Sequence, residues 1–295
     1  MRIALINSGL GLLGAAAELH RLRPDADLIL AMDPDGMPWG PRAPDDIAAR
    51  SLACARAAAA YLPDVLVFAC NTGSVHALGA LRAEFEPGIP VVGTVPAIKP
   101  AAAQSDVVAI WATAATTGSA YQRQLIADYA ASARVTEVPC AGLADAIDSG
   151  DGDATLAGVT AGAAQTPPGC GAVVLGCTEY ELAAELIAAA LPEAALFGSA
   201  AAVAAQALRR AAPAHRAGPG RQAPPLPAGS PLPAGSPLQS GPPPRTGLGQ
   251  LRVLLSGRPA DLPPAALRYP AGRMLAGLAQ GPAAAQEPEH AARIR

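Results

Sequence analysis

Two cysteines stand at places where chemistry is expected. Asp64-Val65-Leu66-Val67-Phe68-Ala69 is an apolar run that ends in Cys70-Asn71-Thr72, and Ala172-Val173-Val174-Leu175-Gly176 ends in Cys177-Thr178-Glu179. Each run reads as a buried strand, and each is followed by a helical stretch, Ser74–Glu84 and Tyr180–Ala190. In parallel α/β sheets ligands gather at the carboxyl ends of strands. A thiol there faces the first turn of the next helix, whose free N–H groups and dipole favour the thiolate. A free cysteine titrates near about 8.5, and such surroundings are expected to bring it to roughly 3.5–7.5. The same N–H groups, with the hydroxyls of Thr72 and Thr178, suit a carboxylate. A thiolate on one face of a carbon and a thiol on the other can remove a proton and return one with inversion, exchanging roles in the reverse direction. A buried cysteine is more often a small hydrophobe. Cys54, Cys140 and Cys170 lack the full pattern and read as structural.

The elements that must position these thiols alternate along residues 1–210. Ile3–Ile6, Ala26–Met32, Val65–Ala69, Val91–Val95, Val107–Trp111, Val135–Val138 and Ala172–Leu175 read as buried strands, with helices such as Asp45–Ala60 and Ser119–Ala131 between them. That alternation implies an α/β fold of parallel sheets covered by helices. From residue 213 the composition turns to Pro, Gly and Ser, and Pro-Leu-Pro-Ala-Gly-Ser at 225–230 recurs at 231–236. Residues 213–249 are therefore expected as a flexible linker, Leu251–Leu255 as one more strand, and 259–295 as a low-complexity tail.

Composition excludes several classes. The chain has 295 residues, 51% hydrophobic and 15% charged, with a net charge of −3, which disfavours nucleic acid as a partner. No apolar run approaches the roughly 20 residues of a spanning helix, so no membrane partner and a cytoplasmic location are expected. Lys99 is the only lysine and lies before Pro100 with no phosphate loop beside it, which disfavours a pyridoxal-phosphate Schiff base. The five cysteines form no CxxC pair and the four histidines have no ligand spacing, so no metal and no cofactor are expected. His76 reads as a surface or core histidine rather than a tuner of Cys70, Arg42 and Lys99 equally as attractors of an anionic substrate or as solvated charges, and Asp33 as a strand terminator or a loop anchor.

At these residues the chain resembles the aspartate/glutamate racemase superfamily, and the glutamate racemases in particular. Asn7-Ser8-Gly9 resembles the family's opening Asp-Ser-Gly loop, and Asp33 followed by Pro38-Trp39-Gly40 its Asp…Pro-Tyr-Gly segment. Ala69-Cys70-Asn71-Thr72 and Leu175-Gly176-Cys177-Thr178 match its two cysteine motifs, Val95–Ala101 its interdomain segment, and Thr113, Thr116 and Ser119 its Thr-x-x-Thr-x-x-Ser loop. The resemblance implies two similar doubly wound parallel-sheet domains facing each other across an active-site cleft. The first domain would be residues 1–96, completed by about 197–212 with 250–258 as a further candidate, and the second 97–196. It implies Cys70 acting on the D isomer and Cys177 on the L isomer of a small acidic amino acid. Substrate contacts would fall to Asn7, Ser8, Trp39, Gly40, Asn71, Thr72, Thr116, Thr178 and Glu179. A homodimer is a further expectation.

Two positions depart from the glutamate racemase pattern. Asn7 stands where the family has Asp, and Glu179 stands where its glutamate branch has His after Cys-Thr. Glu179 puts an anion near Cys177, which raises a thiol's pKa, and Cys-Thr-Glu is the motif of aspartate racemases. The expected function is cofactor-independent glutamate racemisation supplying D-glutamate for peptidoglycan. The alternatives are an aspartate racemase, another small-diacid isomerase or decarboxylase of the superfamily, and a non-catalytic ligand-binding descendant.

Overall fold

The computed structural model describes residues 1–211 and 247–279. Among the described residues ten strands form two sheets, in the orders β10-β9-β2-β1-β3-β4 and β6-β5-β7-β8. The first sheet contains β1 (Arg2–Asn7), β2 (Asp27–Met32), β3 (Val65–Phe68), β4 (Val91–Gly93), β9 (Leu251–Leu255) and β10 (Arg258–Ala260). The second contains β5 (Val107–Ala112), β6 (Arg134–Pro139), β7 (Ala172–Leu175) and β8 (Ala195–Phe197). All pairings are parallel except β9 with β10.

Side chains alternate across each strand, so both faces of both sheets must be covered. In β1, Ile3 and Leu5 face one core while Ala4 and Ile6 face another. Helices α1 (Leu12–Leu22), α9 (Ala200–Ala211) and α10 (Pro270–Ala279) cover the first face, and α2 (Pro44–Ala59) and α3 (Asn71–Phe85) the second. In the second sheet Ala109 and Trp111 pack on α6 (Leu143–Ser149), α7 (Gly152–Gln165) and α8 (Ala184–Ala190). On its opposite face Val108 and Ile110 pack on α4 (Ile98–Gln104) and α5 (Ala120–Tyr129). The architecture is two doubly wound α/β domains, as the sequence implied. Among the described residues no helix is long and apolar enough to cross a membrane.

The C-terminal part corrects one expectation. Residues 259–279 are not a featureless tail. Past the β10 edge strand, a 3₁₀ turn at Pro264–Arg268 leads into α10. Ala266 and Leu275 are fully buried in the core that α1 lines, so this stretch has the apolar stripe needed to fold onto the domain. Tyr269 Oη donates to Ile147 O at 2.7 Å and Arg268 Nε to Gly150 O at 3.2 Å, so the same segment reaches the end of α6 in the second domain. Residues 213–246 of the expected linker, and 280–295 of the expected tail, lie outside the described residues. At the described end of the linker, Gly249 N donates to Pro24 O at 2.8 Å and leads into β9 beside β2.

Candidate active site

The carboxyl ends of the parallel strands converge on a cavity of about 250 Å³ between the two domains. The first sheet contributes Ser8 after β1, the Pro38–Pro41 segment beyond β2, and Cys70, Asn71 and Thr72 after β3. The second contributes Thr113 after β5, Cys140 after β6, Cys177 and Glu179 after β7, and Asp145 and Asp148 from α6. Gly40 meets the second domain across the opening, since a Cβ there would lie 3.8 Å from Ala115 Cβ.

The two cysteine turns differ in detail. Cys70 is the N-cap residue of α3, and its Sγ accepts from Gly73 N at 3.3 Å. Gly73 is required there, because a Cβ would run into the Phe68 ring. Cys177 instead opens a 3₁₀ turn, Thr178–Ala183, and only then does α8 follow. Its thiol donates to Glu179 Oε2 at 2.8 Å.

The lowering that a helix N-terminus favours is overturned at Cys70, and the rise expected at Cys177 from Glu179 is present. Burial pushes Cys70 up to about 12, with the Glu179 carboxylate adding to the rise, while the N–H groups of Gly73 and Ser8 pull the other way. Burial also raises Cys177 well above the ordinary thiol value, and Glu179 raises it further through its charge and its hydrogen bond. A few N–H dipoles do not offset desolvation with a carboxylate alongside. Both thiols are therefore protonated near neutral pH.

Of the residues singled out in the sequence, Cys70, Cys177, Ser8, Trp39, Gly40, Asn71, Thr72 and Glu179 line the cavity. Asn7 and Thr178 sit behind it. Asn7 Nδ2 donates to Ala69 O at 2.7 Å and to Thr178 Oγ1 at 3.2 Å, which ties the β1 loop to the β7 turn. Thr116 also stands back, with its hydroxyl 3.2 Å from that of Thr113, which does line the cavity. Asn71 Nδ2 donates to Gly176 O at 2.8 Å, and its buried Oδ1 has no partner. Asp33 is a loop anchor. Its Oδ2 accepts from Trp39 Nε1 at 3.0 Å and from Arg50 Nη1 at 3.3 Å, and its Oδ1 from Ser256 Oγ at 3.2 Å.

The sequence profile of the Asp/Glu/hydantoin racemase family matches residues 7–207, a span that contains both cysteine turns. The chain belongs to that family. It is 37% identical over 208 residues to glutamate racemase of Pseudomonas putida W619, covering 68% of this chain and 78% of that one. It is 38% identical over 185 residues to glutamate racemase of Roseiflexus sp. RS-1, covering 61% and 68%. The Escherichia coli glutamate racemase, solved with L-glutamate and the activator UDP-MurNAc-Ala, superposes with a TM-score of 0.70 at 25% identity, covering 90% of this chain and 91% of that one. The Aquifex pyrophilus glutamate racemase does so with a TM-score of 0.56 at 29% identity, covering 71% and 83%.

Within this racemase fold Asp145 and Asp148 are site residues that sequence reasoning missed. They lie three residues apart on one face of α6, a spacing shared by any solvated helix. Asp148 reaches across the domains, accepting Leu10 N on Oδ1 at 2.6 Å, and burial with the nearby Glu179 charge raises its pKa well above the ordinary carboxyl value. With Glu179 these make three acidic residues on the wall, and among the described residues that line the cavity there is no Lys, Arg or His. Such a wall favours a cationic group. Among the described residues no group of three or more His, Cys, Asp and Glu has the arrangement of a metal site.

Proposed function

We propose that this chain interconverts L- and D-glutamate without a cofactor, with Cys70 and Cys177 as paired acid and base. The observation that carries the proposal is that both thiols, one from each domain, open onto one cavity. Cys177 would take the Cα proton of the L isomer while the Cys70 thiol protonates the opposite face, and the roles reverse for the D isomer. The free Asn71 Oδ1 and the acidic wall are suited to the substrate ammonium. Ser8, Thr72 and the backbone N–H groups beside them are suited to its α-carboxylate. The raised pKa of Asp148, caused by burial and the Glu179 charge, favours its neutral form and so lessens the repulsion that a side-chain carboxylate would meet. The expected product use is D-glutamate for peptidoglycan, in the cytoplasm. The names of the relatives support glutamate, whereas Glu179 after Cys177-Thr178 favours aspartate as a second reading within the same family.

The test is incubation in D₂O with each isomer of glutamate and aspartate, following Cα exchange and chiral composition. Expected are deuterium incorporation and racemisation of glutamate, and loss of racemisation in both Cys70→Ser and Cys177→Ser. Loss in only one of the two variants would refute the two-thiol scheme. Turnover of aspartate alone would move the substrate to the second reading.

A further inference from the structure

A chain of hydrogen bonds lies behind Cys177, and its polarity is determined at each link. Asn7 Oδ1 accepts from Ser8 N at 2.6 Å, which can only donate, so the amide orientation is set. Asn7 Nδ2 then donates to the Ala69 carbonyl and to Thr178 Oγ1. Thr178 has one proton, and it goes to Glu179 Oε2 at 3.3 Å. The same oxygen accepts the Cys177 thiol at 2.8 Å. The packing is close, since a Cβ on Gly11 would overlap Asn7 Nδ2, Thr178 Oγ1 and Glu179 Oε1 together.

We infer that Glu179 is the proton partner of Cys177, and that Asn7, acting through Thr178, is the positioning residue that keeps Glu179 an acceptor. This rests on two-thiol racemisation as proposed above. Cys177 donates its thiol proton to Glu179 Oε2, so it must lose that proton before it can act as a base, and the hydrogen-bonded carboxylate is where the proton goes. The thiol proton passes to Glu179 Oε2, leaving Cys177 a thiolate and Glu179 neutral. The Cα proton of the L isomer then passes to Cys177 Sγ, and the Cys70 thiol gives its proton to the opposite face of Cα. The site ends with Cys177 and Glu179 protonated and Cys70 as thiolate. It resets when the Glu179 proton exchanges through solvent to Cys70, so protons and charge balance over the cycle. The neutral Glu179 also removes an anion from the wall while the substrate carbanion forms.

An aspartate at position 7 would have no hydrogen for Ala69 O or Thr178 Oγ1. It would draw the Thr178 proton to itself and add a second carboxylate to the same buried unit. The amide at 7 and the carboxylate at 179 are therefore a matched pair, which accounts for both departures from the glutamate racemase pattern at once. Other ionisable groups that act on this unit are Cys70 at the end of β3, Asp148 on α6, and Tyr180 on the same turn.

The experiment compares the full chain with E179Q, N7D and N7D/E179Q, using protiated and α-deuterated glutamate of each hand. The isomers are mirror images, so their equilibrium constant is one and kcat/KM must fall equally in both directions. The side of the lesion is instead visible in the isotope effect. For E179Q a fall in kcat/KM of about 10²–10⁴-fold is expected. Its isotope effect should rise for the L isomer, deprotonated by Cys177, and fall toward unity for the D isomer. N7D should lower kcat more than it raises KM, and N7D/E179Q should be no slower than E179Q, because Asn7 acts only through Glu179. Activity of E179Q within about threefold of wild type, isotope effects that change equally for both isomers, or multiplicative losses in the double variant would each overturn the inference. A second test needs no turnover. The infrared S–H band that Cys177→Ser removes should lie below those of the other thiols, and an undisplaced band would refute the Cys177–Glu179 bond. Were wild type to turn over no acidic amino acid while the displaced band persisted, the racemase function would fail and the bond would stand.

Discussion

Asp33→Ala offers a direct test of how the cavity-lining Pro38–Pro41 loop is held. Asp33 and the Trp39 ring are both buried, and the carboxylate is the acceptor for the indole N–H. Removing a hydrogen bond to a charged group costs about 1.5–3 kcal/mol, a figure that includes leaving the indole donor without a partner. Loss of the Ser256 bond adds about 1 kcal/mol. The Arg50 pair adds little, because the guanidinium is 31% exposed and free to be hydrated. The sum is about 3 kcal/mol, which lowers the melting temperature by roughly 6–12 °C for a domain of this size. Trp39 and Gly40 line the cavity, so a loop shifted by about 1 Å is expected to reduce kcat/KM by about 10²-fold as well. Thermal melting by circular dichroism and racemisation at saturating and limiting glutamate measure the two effects. Asp33→Asn, which keeps one acceptor oxygen, should fall between. A melting temperature within about 2 °C of wild type, with unchanged kcat/KM, would refute the assignment of Asp33 as the loop anchor.

Gly11→Ala should cost about 1–3 kcal/mol and reduce activity, since its Cβ meets three polar atoms of the Asn7–Glu179 unit, and unchanged melting would contradict the close packing described. Asp148 has a raised pKa in the folded chain, so between its unfolded value and its folded one the native state holds more protons, and its contribution to stability is present below the unfolded value and lost as pH rises through the folded one. Asp148→Asn keeps the Leu10 acceptor and should flatten the stability–pH profile over that window, with a stability at pH 8 equal to or above wild type; urea melts at pH 5 and pH 8 test it. Because burial raises both thiols, with Cys70 near about 12, iodoacetamide should label Cys70 and Cys177 slowly at pH 7.5 and faster as pH rises. Rapid labelling at neutral pH, read by mass spectrometry of each peptide, would contradict that protonation state.

The two cysteine turns and every described strand except the three-residue β8 and β10 were legible because their signals are local. Val65–Phe68 and Ala172–Leu175 are apolar runs buried on both faces, and each ends where a polar residue begins a helical turn. That much is decided by neighbours in the chain. The fold of residues 264–279 was missed because Ala266 and Leu275 are too few, in a Pro- and Ala-rich stretch, to stand out without α1 as the surface they cover. The Cys70 pKa was misjudged for a related reason, while the rise at Cys177 was readable from Glu179 two residues on. Helix position is a local property and argues for lowering, but desolvation and the Glu179 charge depend on what the whole fold brings around the sulfur. Asp148 meets Leu10 across 138 residues and Asn7 meets Thr178 across 171, contacts between the two domains that no spacing rule encodes. Sequence alone thus determined the longer strands and where Cys70 and Cys177 lie at their ends. The docking of the two sheets decided that both thiols open onto one cavity, and which carboxylates they meet there, because burial and long-range encounter exist only once the chain has folded.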